Sequence, residues 1–475
     1  MKNNGLAETI LKNLKLRGSR VQFYDETQAA TGDLILEKIE DGRRFFKKHG
    51  VSTSSFVSVF SSKSVDECML TTALLALEIK GVVVSDGYTE MYKSLLNECP
   101  VDFILVSREY LASFSGFESV GEYLNYSLLR NANRPAVAPM PPECRWCLLT
   151  SGSTGHPKVV MVTEANLVAR AVGEIDSFRL QSEDRVLSFL NISHDLGLNQ
   201  LLTSLLAGVS LYVHRLTFVE RLMLAVDEQQ ITGLTAVPSF WRMFLARSHG
   251  LRFSGKSLKY VTVSGGSLTL DELNQIRSFF PKSNIIKTYG QTETFRSLIR
   301  VHLCSETQLD ELFDPLKGVK LELHEKEGDM GTLVHSGVGT MLGYYPQDLG
   351  RVISSVNSGD LFESDENGRF RFIARKDSMI KINGLRFYPV LIESLAKQIP
   401  GIVQAAATVV QTDDGLESLI LALETTQKIS QREVVQLLKP KLPIKLLPDK
   451  VLFMEKIPLT RSFKIDYPGL KKLIP

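Results

Sequence analysis

From about residue 30 to residue 300, short apolar or β-branched runs alternate with stretches of helical periodicity. SSFVSVF, GVVVSD, DFILVS, RVLSFL, SLYVH, LKYVTVS and SNIIKTYG are the runs, and SVDECMLTTALLALEIK is one of the intervening stretches. Short unalternating runs separated by helices predict strands buried on both faces, hence an α/β chain with layered, mainly parallel sheets. Loops that carry chemistry then follow the strand ends. The longest charge-free window, 18 residues from Leu196 to Val213, places Leu198, Leu201, Leu202, Leu205 and Leu206 at helical spacing and contains Gly197, Asn199, Gln200 and Gly208. It predicts a buried helix followed by a strand rather than a membrane span.

After residue 300 the runs shorten and glycine punctuates them, as in VKLELHEKEGDMGTLVHSGVGTMLGYY and GRFRFIARKDSMIKINGLRF. This texture predicts a small β-rich subdomain attached to the large α/β domain. Beyond residue 388 follow a helix (PVLIESLAKQI), two strands (VQAAATVVQ, LESLILALE), a helix (SQREVVQLLKPKL) and a Pro-containing tail expected to be exposed. A boundary falls near Arg375 to Ser378, dividing residues 1–376 from a small α+β domain over 377–475, a usual domain size.

Length and composition add limits. At 475 residues the chain needs about two to four domains or subdomains. With 44% hydrophobic and 23% charged residues and no repeat, a folded enzyme is expected rather than a disordered or solenoid chain. MKNNGLAETILKNLKLRGSR lacks the apolar core of a secretory signal, so a cytoplasmic location is expected. Five cysteines are too few for a disulfide framework; Cys144 and Cys147 form a C-x-x-C, but in a strand their side chains should point to opposite faces, against a redox or zinc role. The formal charge of +2 calls for neither nucleic acid nor a membrane as partner. Residues 431–475 nevertheless hold ten Lys or Arg against four Asp or Glu, a local +6 that suits an acidic partner, a nucleotide or simply solvent.

Candidate chemistry begins at LLTSGSTGHPKVVM. Gly152 and Gly155 free the backbone to aim N–H groups at an anion, Thr150, Ser151, Ser153 and Thr154 add hydroxyls, and Lys158 adds a charge. The GxxxxGK[ST] pattern is absent, so this is not a Walker A loop. Four further motifs follow in order: Tyr-Gly-Gln-Thr-Glu (289–293), Ser-Gly-Asp (358–360), RKDSMIKINGLRFYPVLIES (375–394) and IPLTRSFKID (457–466). In this order and at these spacings the chain resembles the adenylate-forming superfamily: acyl-CoA synthetases, nonribosomal-peptide adenylation domains and beetle luciferases.

The resemblance implies ATP and Mg²⁺ as cofactors and two half-reactions. A carboxylate and ATP give acyl-AMP and pyrophosphate; a thiol then displaces AMP. It implies that the 150–158 loop holds the β- and γ-phosphates, that Tyr289 stacks on adenine beside Gly265 and Gly266, that Thr292 meets the α-phosphate and that Glu293 is the metal ligand. Asp360 and Arg375 are implied to grip the ribose, Lys464 to bridge carboxylate and α-phosphate, Asp377 to be the hinge, and the loop around Gly384 to enter for thiolation. Departures from the family pattern are Val159 for glycine, Glu164 for histidine, Phe463 for the glycine before the catalytic lysine, and Tyr467 for arginine; Phe463 keeps open a catalytically impaired nucleotide-binding protein.

The expected acid is small. Asp195, Leu196, Asn199, Ser239, Gly265 and Arg296 are the implied pocket residues. Asp195 either reads a substrate ammonium or caps the helix that follows; Arg296 either pairs with a second substrate carboxylate or closes the pocket on Asp195. An amino acid, β-amino acid or amino-dicarboxylate fits both charges when free. The expected acceptor is the phosphopantetheine thiol of a carrier protein, with free CoA and a fatty or other acyl acid as the alternative.

Overall fold

The computed structural model describes residues 5–85, 95–114, 116–150, 158–215, 218–247, 250, 253–266, 268–306, 308–382, 385–411, 417–459 and 465–474. They form two compact units, Met1–Leu321 with His335–Val356, and Glu322–Val334 with Asn357–Pro475.

The first unit is layered as the apolar runs predict. Strands Phe56–Phe60, Lys80–Val84 and Phe103–Ser107 pair in parallel inside an eight-stranded sheet. Strands Arg185–Ser188, Ser210–Val213, Gly233–Ala236, Tyr260–Ser264 and Asn284–Gln291 are parallel neighbours in a second sheet. Between the sheets one apolar core joins Val57 and Val59 of the first to Val186 and Leu211 of the second, with helices Leu6–Arg17, Val65–Ala76, Glu164–Phe178 and Asp195–Ala207 packed in it. The long charge-free window is thus a core helix and a strand. Leu198, Leu201, Leu202, Leu205 and Leu206 all lie in that core, and Gly208 ends the helix at φ 70°. Among the described residues no helix is long and apolar enough to cross a membrane.

Two local expectations change. Cys144 precedes the strand Trp146–Thr150 rather than lying in it, so alternation does not apply, and its Sγ comes 3.7 Å from that of Cys147. Both are buried, and burial raises the Cys147 thiol well above its usual range, which makes the thiolate scarce. Glu164, an apparent departure, has a structural role: one oxygen accepts from the Leu6 backbone N–H at 2.6 Å and the other meets Arg145 at 3.3 Å. It caps a helix whose own cap residue, Gly5, has no side chain to offer.

The second unit contains strand Ser355–Ser364 from Asn357 onward with its neighbour Phe370–Arg375, the hairpin Ile380–Ile382 with Leu385–Phe387, and a three-stranded sheet of Ile402–Gln411, Glu417–Thr425 and Lys450–Phe453 under helices Pro389–Lys397 and Gln431–Leu438. The tail is not simply exposed. Lys450–Phe453 pairs in parallel with Glu417–Thr425, and Ile457 and Leu470 are fully buried beneath the sheet's Ala406 and Ala422. Tyr467, the other apparent departure, donates at 2.8 Å to the buried Glu393, which also accepts from the Ala407 N–H.

Candidate active site

Strand Trp146–Thr150 and its antiparallel neighbour Lys158–Val162 are in register with Thr150 opposite Lys158, so those residues are the two posts of the glycine-rich loop. Ser151, Gly152, Ser153, Thr154 and Gly155 lie outside the described residues. Val159 faces the core from this strand and is in register with Tyr345 of the short strand Gly343–Tyr345. That pairing brings in a residue the sequence did not single out. The Lys158 ammonium sits 4.8 Å from the centroid of the Tyr344 ring, and the Tyr344 hydroxyl donates to Glu293 Oε1 at 2.7 Å. Burial, with the Glu293 hydrogen bond added, raises the Tyr344 phenol, so it remains a donor.

Glu293 and Thr292 occupy the turn between strands Asn284–Gln291 and Phe295–His302, closed by the Thr294 N–H on the Gln291 carbonyl at 3.0 Å. The hairpin is tight at its tip, where a Cβ on Gly290 would lie 1.4 Å from the Phe295 carbonyl oxygen. A side chain there would shift the strand end that presents Tyr289. Phe295 has φ 54°, a left-handed conformation that an aromatic residue adopts only under constraint. Arg170 supplies one: its guanidinium stacks 3.4 Å from the Phe295 ring centroid and donates to the carbonyls of Gly339 at 2.7 Å and Glu293 at 3.4 Å. Burial opposes the Arg170 charge, while Asp195 and Glu293 support it.

His335 shares a 2.8 Å hydrogen bond with Ser297 behind this turn and is 2% exposed. Burial, reinforced by Arg170, lowers its pKa to about 4. The imidazole is therefore neutral when folded, whereas in the unfolded chain it titrates near 6.5. Its contribution is present above pH ~6.5 and lost as pH falls through ~4, a change of about 3 kcal/mol. Urea unfolding at pH 7 and pH 4.5 should show a smaller acid loss in His335→Gln than in the parent chain; equal losses would refute this.

The implied acid pocket lies in the same unit. Asp195 is the first residue of its helix, half-buried; His194 holds the cap position without a side-chain cap bond, so Asp195 does not serve as the cap. The helix start sits tightly on the preceding loop, since a Cβ on Gly197 would lie 2.1 Å from the Asn191 carbonyl oxygen. Gly197→Ala must move backbone; we expect a loss of about 1–3 kcal/mol in denaturant unfolding and a rise in acid KM with ATP KM little changed. Leu196 reaches within 3.8 Å of the position a Cβ on Gly265 would take, and Gly266 packs on Pro238, the neighbour of the half-buried Ser239.

Arg296 does not close on Asp195. Its guanidinium pairs with Glu174 of helix Glu164–Phe178, and Asn199 donates to the same Glu174 oxygen. Nothing near Glu174 in the sequence marks it, because a glutamate on a core helix is legible as an ion-pair partner only once the hairpin carrying Arg296 is placed against it.

In the second unit Asp360 is buried and in register with Arg375, whose Nε lies 3.1 Å from Asp360 Oδ1 and 3.3 Å from Asp377 Oδ1. Asp377 itself is in the 3₁₀ turn Lys376–Ser378. Gly384, Phe463 and Lys464 lie outside the described residues; the segment holding the lysine is flanked by the Leu459–Ile465 bridge and by the Asp466 N–H on the Pro458 carbonyl at 2.9 Å.

Oxygen donors fit Mg²⁺. Glu293 stands at the turn with Lys158 nearby through Tyr344, and a carboxylate so placed suits a cation shared with substrate phosphates.

A family model described as AMP-binding enzyme matches residues 13–345. A plipastatin synthase polypeptide of Bacillus subtilis is 27% identical over 448 residues, covering 88% of this chain, and the chain spans 17% of that protein's length. Zwittermicin A synthase ZmaJ of Bacillus cereus is 27% identical over 474 residues, with 90% of this chain and 87% of that protein covered. The fold is similar to that of o-succinylbenzoate CoA synthetase (MenE) from Bacillus subtilis in complex with an acyl-adenylate intermediate, with TM-score 0.79, 19% identity, and 98% of this chain and 97% of that chain covered. It is equally similar, at TM-score 0.79 and 18% identity with 98% and 99% covered, to the same synthetase in complex with ATP and magnesium ion. With over half its length matched, the chain belongs to the AMP-binding enzyme family, whose members activate a carboxylic acid as its acyl-adenylate.

Proposed function

We propose that the chain uses ATP and Mg²⁺ to activate a small carboxylic acid bearing an amino group, and passes the acyl group to the phosphopantetheine thiol of a carrier protein. The observation that carries this reading is Asp195: a half-buried carboxylate at a helix start, without a capping role, next to Leu196, whose side chain reaches Gly265. A cationic ammonium is its complement.

The chemistry brings a carboxylate to the α-phosphate, so negative charge must be balanced at the attacking group, the phosphorus oxygens and the departing pyrophosphate. Lys158 and the 150–155 loop serve the β- and γ-phosphates; Thr292 donates to the α-phosphate; Tyr289 stacks on adenine beside Gly265 and Gly266. Glu293 would hold Mg²⁺, which supplies charge neutralisation on the phosphates, and Tyr344 fixes its carboxylate. Asp360 accepts from the ribose hydroxyls while Arg375 orients it. Lys464 bridges the acid and the α-phosphate. A lysine there obstructs an incoming thiol, so residues after Asp377 rotate between the half-reactions and carry the loop around Gly384 inward.

Two acceptors separate the thiol step: incubate the chain with ATP, an accepted acid, and either a phosphopantetheinylated carrier protein or free CoA, and weigh the products. Acyl-carrier without acyl-CoA is expected; acyl-CoA alone would overturn the carrier reading. Asp195→Asn should raise the KM for amino acids about 10- to 100-fold and leave the ATP KM unchanged, as expected for loss of a charged partner.

A further inference from the structure

Around Asp195 the structure puts a second, closed charge pair. Asn199, one turn after Asp195 and on the same helix face, donates to Glu174, and the Arg296 guanidinium pairs with the same carboxylate oxygen while its Nε donates to Thr288 at 3.2 Å. Glu174, Asn199 and Arg296 are 3%, 1% and 7% exposed. Behind the guanidinium lies the Phe178 ring, 5.8 Å away, itself against Tyr260 at 5.2 Å between centroids. The guanidinium thus has an aromatic ring on one side and a threonine hydroxyl on its Nε. Asp195 and Asn199 stand one helical turn apart on Asp195–Ala207, and Asn199 bonds Glu174, so the cluster adjoins the acid site.

We propose that Glu174 is a specificity-determining residue: by engaging Arg296 and Asn199 it closes the far end of the acid pocket as a charge-neutral wall, so that the chain takes an amino acid whose far end is small and uncharged and refuses one with a second carboxylate. This rests on the reading of Asp195 as the ammonium partner. A guanidinium in the wall of an acid pocket would ordinarily invite a second carboxylate, with a bidentate fit. In this chain the invitation is cancelled internally, because a dicarboxylic acid would have to displace Glu174 and leave it buried and unpaired. The same wall limits length, since a longer neutral side chain meets a buried pair and not a cavity.

The test is acid-dependent exchange of labelled pyrophosphate into ATP, with alanine, serine and β-alanine against aspartate and glutamate, in the parent chain, Glu174→Gln, Glu174→Asp and the double variant Glu174→Gln/Arg296→Gln. The parent should favour the small neutral acids by about 100-fold or more. Glu174→Gln releases the Arg296 charge and should lower that ratio at least about tenfold. The double variant, neutral again, should return towards the parent ratio. Glu174→Asp keeps the charge pair and guards against a misfolded Gln variant: it should still refuse the dicarboxylic acids but gain several-fold on a neutral acid one methylene longer. Exchange with an unchanged ratio in every folded variant, or a parent that takes aspartate as readily as alanine, overturns the proposal and leaves a merely structural ion pair. If the parent supports exchange with no acid at all, the reading of the site falls, and this inference falls with it.

Discussion

Glu293→Gln should lower acid-dependent adenylate formation by about 10²- to 10³-fold, the size found when a group aimed at developing charge is removed. The substitution is nearly isosteric and keeps an oxygen for the Tyr344 hydroxyl, so the hairpin turn, pinned by the Thr294 N–H on the Gln291 carbonyl and by the Met341 N–H on the Glu293 carbonyl at 2.9 Å, has no reason to move. Only the charge is lost. If that charge holds Mg²⁺ against the phosphates, the variant's rate should climb with Mg²⁺ well past the concentration that saturates the parent chain. Tyr344→Phe leaves the charge but frees the carboxylate, and a loss of only about tenfold is expected. Initial rates across a Mg²⁺ series separate the two: equal deficits with no change in Mg²⁺ dependence would take Glu293 out of the metal role.

Lys464→Ala is expected to cost a similar factor, and to cost it in one half-reaction only. On the proposed roles, the ammonium that bridges the two reacting anions acts at adenylation, and the thiol step would proceed with it withdrawn. Pyrophosphate exchange should therefore fall about 10²- to 10³-fold while thioester formation from supplied acyl-adenylate stays within about threefold of the parent rate. Phe463→Gly is the companion change. Glycine restores backbone freedom before the lysine, and a gain in exchange would show that the phenylalanine restrains it. Equal losses in both half-reactions for Lys464→Ala would indicate a structural lysine.

Much of the framework is legible in the residues because it depends on local periodicity. The apolar runs became parallel strands, and the charge-free leucine window became a core helix capped by Gly208. The glycine-rich stretch can be placed at a strand end because Thr150 and Lys158 flank it on paired strands. What periodicity cannot supply is a partner distant in the chain. Tyr344 reaches Glu293 across 51 positions and Glu174 reaches Arg296 across 122, and neither bond leaves a trace in its own neighbourhood. Cys144 shows a different limit: its side-chain direction was inferred from a strand that begins only at Trp146. In the tail, Ile457 and Leu470 are buried because a parallel strand pairing returns the chain to the sheet, and proline content by itself does not exclude that.

One measurement bears on amino-acid activation more directly than any substitution: exchange of labelled pyrophosphate into ATP, with Mg²⁺ present, across amino acids, β-amino acids, aryl acids and fatty acids. An adenylating site whose Asp195 pairs with an ammonium predicts exchange that requires an acid and is strongest with a small amino acid, AMP being the nucleotide product once a thiol is added. ATP binding without exchange for any acid, or release of ADP in place of AMP, would contradict it.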